Sequence, residues 1–179
     1  MPQRHWRVLE RKIVYDSKRV KVIEDKVSNE HGTGFFYKMA QLRDSVAILA
    51  IDSEENIVLV KQYRHAAEMV LIDLPGGKVE EIDVLEAGKR ELLEETGYTA
   101  TRWKLLTRYP VHASRVKCWK NIFLAKNLTA GKNNPEADEE LEVIVLPMLE
   151  IVEMINQGKI IEPTIQIALW HYLSKQGSL

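Results

Sequence analysis

Arg90-Glu91-Leu92-Leu93-Glu94-Glu95-Thr96-Gly97-Tyr98 closes an amphipathic run that begins at Val84. Its periodicity predicts a helix over 84–96, with Val84, Leu85, Gly88, Leu92 and Leu93 near one stripe and Gly97 as the C-terminal stop. At about 3.6 residues per turn, Glu91 and Glu95 stand one turn apart on one face, with Glu94 adjacent. Like charges at that spacing repel by a few tenths of a kcal/mol per pair, and acids near a helix C-terminus oppose the macrodipole. Something must offset that cost. A hard divalent cation such as Mg²⁺ does so, since it binds carboxylate oxygen and keeps waters and phosphates as its other ligands. A solvated acidic face is the alternative reading of the same residues.

Upstream, LIDLPGGKVE places Pro75-Gly76-Gly77 between an apolar strand and a charged stretch, where glycine permits backbone geometries other residues avoid. SVAILAID (45–52) and IVLVKQYR (57–64) are β-rich runs separated by a polar turn, and they predict a central hairpin. Residues 6–27 mix β-branched residues with charges in near-alternation, suggesting edge-like strands with one wet face. After the turn NEHGTG, FFYKMAQL resumes the pattern, so a β-meander extends to about residue 43. Downstream, strands are expected at 103–109, 118–125 and 142–146. Pro147 opens a helix ending at Gly158, and Pro163 opens a last one. Strands interleaved with helices make an α/β chain.

The 179 residues suffice for one domain, or one with an added subdomain. Twenty-five Lys and Arg against 26 Asp and Glu leave a formal charge of -1, which excludes a global positive field for nucleic acid or an anionic membrane. The single Cys118 fits a reducing compartment, so the cytoplasm is the expected location. The N-terminus lacks the apolar region of a signal peptide, and no apolar run approaches the ~18 residues of a membrane span; a soluble protein is expected. The histidines show no metal-ligand spacing.

With these residues in place, the chain resembles the Nudix hydrolases, whose box reads G-x5-E-x7-R-E-U-x-E-E-x-G-U, with U apolar. Arg90 through Gly97 match the REUxEExG half, and Tyr98 takes the last U position. Counting from Gly76 gives the family spacing to Arg90 but puts Ile82 at the first Glu. Counting from Gly77 leaves the loop one residue short. LPGGKVE resembles the LPAGKIE of the ADP-ribose pyrophosphatase branch, which favours Gly77 as the family glycine, with Glu81 or Asp83 in place of the missing Glu.

The resemblance implies roles residue by residue. Glu91 and Glu95 become Mg²⁺ ligands, with Mn²⁺ able to substitute, and Gly76 a backbone-carbonyl ligand. Glu94 becomes an accessory ligand or water-mediated partner in catalysis, and Arg90 orients the glutamates, with Gly77 and Gly97 structural. Arg64, in KQYR, corresponds to an arginine near the substrate, salt-bridging being the alternative. Of Phe35, Phe36 and Tyr37, Phe36 is the choice for stacking on a nucleobase. Glu139 or Glu140, in the acidic run before EVIVLP, is the implied general base. Arg115 and Lys117 stand where members tuned to ADP-ribose often carry acids, which points to another sugar or an extra phosphate.

The implied architecture is a Nudix α/β/α sandwich with a mixed sheet (44–179), preceded by an N-terminal antiparallel β subdomain (1–43) that exchanges strands in a homodimer. The implied activity is Mg²⁺-dependent hydrolysis of the pyrophosphate bond of nucleoside diphosphate sugars, such as ADP-ribose or GDP-mannose, to a nucleoside monophosphate and a sugar phosphate. Competing readings are a house-cleaning nucleoside triphosphate pyrophosphatase and a noncatalytic Nudix-fold nucleotide-binding module. The latter predicts loss of the box glutamates, which persist here. Nucleic acid and membrane are not expected partners; an RNA cap hydrolase would need the basic residues of 102–132 on one face.

Overall fold

A computed structural model describes residues 6–29, 32, 34–80, 83–132, 141–175 and 177. The chain divides into two compact units, Met1–Asp44 with Tyr109–Trp119, and Ser45–Arg108 with Lys120–Leu179.

In the smaller unit, β1 (Trp6–Asp16) pairs antiparallel with β2 (Lys21–Asn29), and β2 with β3 (Gly34–Gln41). Ser17 makes the first turn tight: its hydroxyl accepts the Val20 N–H at 3.1 Å. The segment Tyr109–Trp119 joins this unit through parallel pairing of Ala40 with Val116 and Gln41 with Lys117. Ile23, Asp25 and Val27 form the buried side of β2. One wet face was expected of the first strand, but β1 is exposed along its whole length. It terminates the strand order, bonded to β2 alone.

The larger unit is built around β4 (Ser45–Ile51), which pairs antiparallel with β5 (Asn56–Arg64) and parallel with β8 (Val116–Thr129) over Ser45–Ala50. β5 also pairs antiparallel with β6 (Met69–Asp73) and β9 (Leu141–Pro147), and β7 (Thr99–His112) pairs with β8, so the sheet is mixed. The near-continuous apolar run of β4 is explained by burial of both its faces. Val46, Ile48 and Ala50 join Ala87 and Leu92 of α1 (Val84–Thr96) in one cluster. Ala47, Leu49 and Ile51 point to the opposite face, and α3 (Pro163–Lys175) packs on the same strand. The helix after Pro147, α2 (Met148–Asn156), ends before Gly158. This is the α/β class expected. The later strands exceed their expected lengths because their ends are polar and exposed, which pattern alone does not mark as strand.

Candidate active site

α1 spans Val84–Thr96, as its periodicity predicted. Asp83 caps it, its Oδ1 accepting the Leu85 N–H at 2.8 Å, and Gly97 ends it at φ 75°, its N–H donating to the Leu93 carbonyl at 2.8 Å. Asp83, considered above as a substitute for the missing box Glu, is thus engaged as the N-cap.

The buried face of α1 consists of Ala87, Gly88, Glu91, Leu92, Glu95 and Thr96. Leu93 departs from its expected place on the stripe: it is exposed, and the two glutamates continue the buried face instead. Glu91 is 7% and Glu95 2% exposed. Ionised carboxylates at that depth are costly unless bonded, and both are bonded. Glu95 Oε2 accepts the Gly76 N–H at 2.8 Å. Glu91 Oε1 accepts from Arg90 Nη2 at 2.9 Å. The other arm of that guanidinium, Nη1, donates to Glu94 Oε2 at 2.6 Å, and Nη2 also reaches the Lys78 carbonyl at 3.3 Å. Arg90 therefore ties the loop, Glu91 and Glu94 together.

The turn over these acids is held by β4. The Ile48 N–H donates to the Pro75 carbonyl at 2.8 Å and the Val46 N–H to the Gly77 carbonyl at 2.9 Å. Gly76, between them, turns its N–H to Glu95. The two positions differ in what a side chain would meet: a Cβ on Gly76 would strike the Val46 carbonyl, which is backbone, and one on Gly77 would strike the Glu91 carboxylate, the end of a side chain.

Arg64 lies in the same unit, half-exposed, with Nη2 3.6 Å from Asp73 Oδ2. Asp73, two residues before Pro75, was not singled out in the sequence; an acid inside the apolar LIDL was the available signal. Burial and the nearby Glu162 push its carboxyl above the ordinary range, against the pull of Lys120, the Leu74 N–H and Arg64. Phe36 and Arg115 belong to the smaller unit. Phe36 is exposed on the face of β3 opposite Phe35 and Tyr37, which pack against Trp6. Arg115 lies over the Tyr37 ring, 5.3 Å from its centroid, and donates to the Lys38 carbonyl at 3.2 Å. Glu139 and Glu140 lie outside the described residues, as do Glu81 and Ile82.

The structure thus brings together Glu91, Glu94, Glu95, Arg90, Gly76 and Gly77. Among the described residues no three His, Cys, Asp or Glu side chains form a group able to hold a metal ion. Glu91 and Glu95 nevertheless offer hard oxygen donors on one face. That fits a divalent cation whose remaining ligands are backbone carbonyl, water or phosphate.

A mixed sheet with a glutamate-bearing helix locked under a Gly-Gly turn defines the class, and comparison with known proteins gives the family. The NUDIX domain model matches residues 41–164, and the chain belongs to the Nudix family; it is a Nudix hydrolase. It is 25% identical to an ADP-ribose pyrophosphatase of Bacillus subtilis (strain 168), over 92% of this chain and 90% of that protein. It is 28% identical to a methanol dehydrogenase activator of Bacillus methanolicus, over 93% and 91% respectively. The fold superposes on a crystal structure of an ADP compounds hydrolase with a TM-score of 0.85, covering 100% of both chains at 20% identity.

Proposed function

We propose that this chain hydrolyses the pyrophosphate bond of nucleoside diphosphate sugars, ADP-ribose and GDP-mannose among them, releasing a nucleoside monophosphate and a sugar phosphate. The observation that carries the reading is the buried pair Glu91 and Glu95 under the Gly76-Gly77 turn. It occurs in a chain similar along nine-tenths of its length to an ADP-ribose pyrophosphatase.

Nudix hydrolases generally use divalent metals, and here Mg²⁺ is the ion proposed, with Mn²⁺ as substitute. Glu91, Glu95 and the Gly76 carbonyl would hold it; when bound it supplies neutralisation of phosphate charge and a lowered pKa for water. The chain's own part is positional. Arg90 fixes Glu91 and Glu94 with charge-assisted hydrogen bonds, and the Gly76 N–H fixes Glu95. Glu139 or Glu140 takes the proton of the attacking water. Arg64, Arg115 and Phe36 contact the substrate, Arg64 at phosphate or stacked on the base, Arg115 at the sugar or an extra phosphate and Phe36 at the base. Residues 1–43 act as a dimerisation subdomain by strand exchange, and the lone buried Cys118 supports a cytoplasmic location.

The deciding experiment is monophosphate release from ADP-ribose, GDP-mannose, UDP-glucose, dinucleoside polyphosphates and dNTPs with Mg²⁺. A nucleotide sugar is expected to give the highest kcat/KM; a dNTP about tenfold above every sugar tested would establish the house-cleaning reading instead.

A further inference from the structure

Arg102, Lys104, Lys126 and Lys175 line one cavity of about 250 Å³ with Trp103 and Tyr172, all within the larger unit. Trp103 on β7 and Ala125 on β8 pack in the cluster beneath α1. Their neighbours Arg102, Lys104 and Lys126 line the cavity beside Trp103, where Tyr172 and Lys175 of α3 meet them.

The charge there is one-sided. Lys126 Nζ donates to Glu55 Oε1 at 3.0 Å and to the Tyr172 hydroxyl at 2.7 Å, and these bonds outweigh burial in holding its charge. Lys175 Nζ reaches the Leu106 carbonyl at 3.3 Å. Among the described residues, Arg102 and Lys104 have no acid bonded to them. In a chain of net charge -1, four cations line one concavity with Glu55 bonded to Lys126 as counter-charge, an arrangement that attracts a further anion. The volume is below the roughly 300–1,000 Å³ of drug-sized ligand sites, so the occupant is small. A guanidinium fork beside lysine point charges matches phosphate oxygens.

We propose that this cavity is a second anion site, for a small phosphate-bearing ligand: inorganic phosphate, pyrophosphate or a sugar phosphate. The inference stands on the cavity alone and does not require the proposed reaction.

The test is a two-dimensional amide NMR titration of the full chain with pyrophosphate, phosphate and ribose 5-phosphate, in a chelator to keep metal from Glu91 and Glu95. Saturable shifts are expected in β7, around Lys126 and at the end of α3. Arg102→Ala/Lys104→Ala should weaken binding about tenfold or more, because charge-assisted contacts are lost. Both side chains are exposed, so the variant should fold, and its unbound spectrum verifies this. Tighter binding of ribose 5-phosphate than of phosphate or pyrophosphate would make the ligand a sugar phosphate; equal or weaker binding would make it the free anion. No saturable shift, shifts centred on Gly76 and Gly77, or unchanged affinity in the double variant would overturn the proposal.

Discussion

The Gly76 N–H meets Glu95 Oε2 at 2.8 Å, joining the turn before α1 to the last turn of that helix. Glu95→Gln keeps an oxygen able to accept that bond but removes the charge. The expected outcome is a melting temperature near that of the parent and a kcat about 10²-fold lower or more, comparable to losing a major electrostatic stabiliser. Activity of the parent should vanish on chelation and return with Mg²⁺ or Mn²⁺. A folded Glu95→Gln enzyme within about fivefold of the parent would remove Glu95 from the metal site.

The adjacent glycines should fail differently. A Cβ at Gly76 would come within 2.8 Å of Ala47 Cα, and β4 backbone cannot yield. Gly76→Ala is therefore expected to lower stability by about 1–3 kcal/mol in urea unfolding. The atoms nearest to a Cβ at Gly77 are those of the Glu91 carboxylate, a side chain that can swing away. Gly77→Ala should keep most of its stability while losing activity, because Glu91 is displaced. Equal losses of stability in the two variants would contradict this division.

How far the sequence reached is visible in these same residues. The bounds of α1 were legible because a 3.6-residue period and a C-terminal Gly coincide; the Asp83 cap, found in the structure, was read in the sequence only as a stand-in for the missing box Glu. The burial of Glu91 and Glu95 was not, because pattern reading assigns acids to the wet face; Ala87 plus four and Gly88 plus three both reach Glu91, and a further four reaches Glu95, which marks both as inward. Leu93 was misplaced for the converse reason, since hydrophobicity outvoted its angular position. β1 reads as half-wet from alternation, but its exposure depends on what neighbours it, which a local pattern does not encode. The Asp73–Arg64 approach runs diagonally across the β5–β6 pair, since Asp73 stands opposite Val60 and Arg64 opposite Met69, so strand pairing alone does not mark it.

Arg11 grips Asp25 with both arms, Nε to Oδ1 and Nη2 to Oδ2, each at 2.7 Å. Those bonds hold the Asp25 carboxyl below its ordinary range against the cost of burial, with added attraction from Arg11 and Lys117. A depressed folded value means the contribution is present above about pH 3.8 and is lost as pH falls through the lower folded value. Arg11→Ala leaves a buried carboxylate without its fork and is expected to cost about 1–3 kcal/mol at neutral pH. Denaturant midpoints of parent and variant should converge below that window.

The edge strand β1 bears Trp6, Val8, Leu9, Ile13, Val14 and Tyr15 on its two faces, all about half-exposed. A long apolar edge strand is a template for another strand, and a second copy supplies one symmetrically. Light scattering at micromolar concentration should give about twice the 20.6 kDa chain mass. Ile13→Lys, placing a charge on that strand, should shift the population to monomer and lower activity in parallel if the partner completes the site. A fully active monomer would dismiss the shared-site reading.

Asp73 sets the last prediction, because its burial and Glu162 raise its carboxyl against Lys120, the Leu74 N–H and Arg64. A folded value above the ordinary 3.8 means that the native state keeps its proton to higher pH than the unfolded chain does. Stability from this group is thus full below about pH 3.8 and declines as pH rises through the folded value. Asp73→Asn removes the ionisation, and its Oδ1 can still accept the Leu74 N–H, which Asp73 takes at 2.7 Å. The variant should melt higher than the parent at pH 7, with the gap closing as pH approaches 4. If Arg64 contacts substrate, the same change should raise KM, because the Asp73 carboxylate 3.6 Å away no longer holds the guanidinium. A variant that melts lower at pH 7 would show that attraction to Arg64 and Lys120 exceeds the cost of burial, reversing the sign argued here.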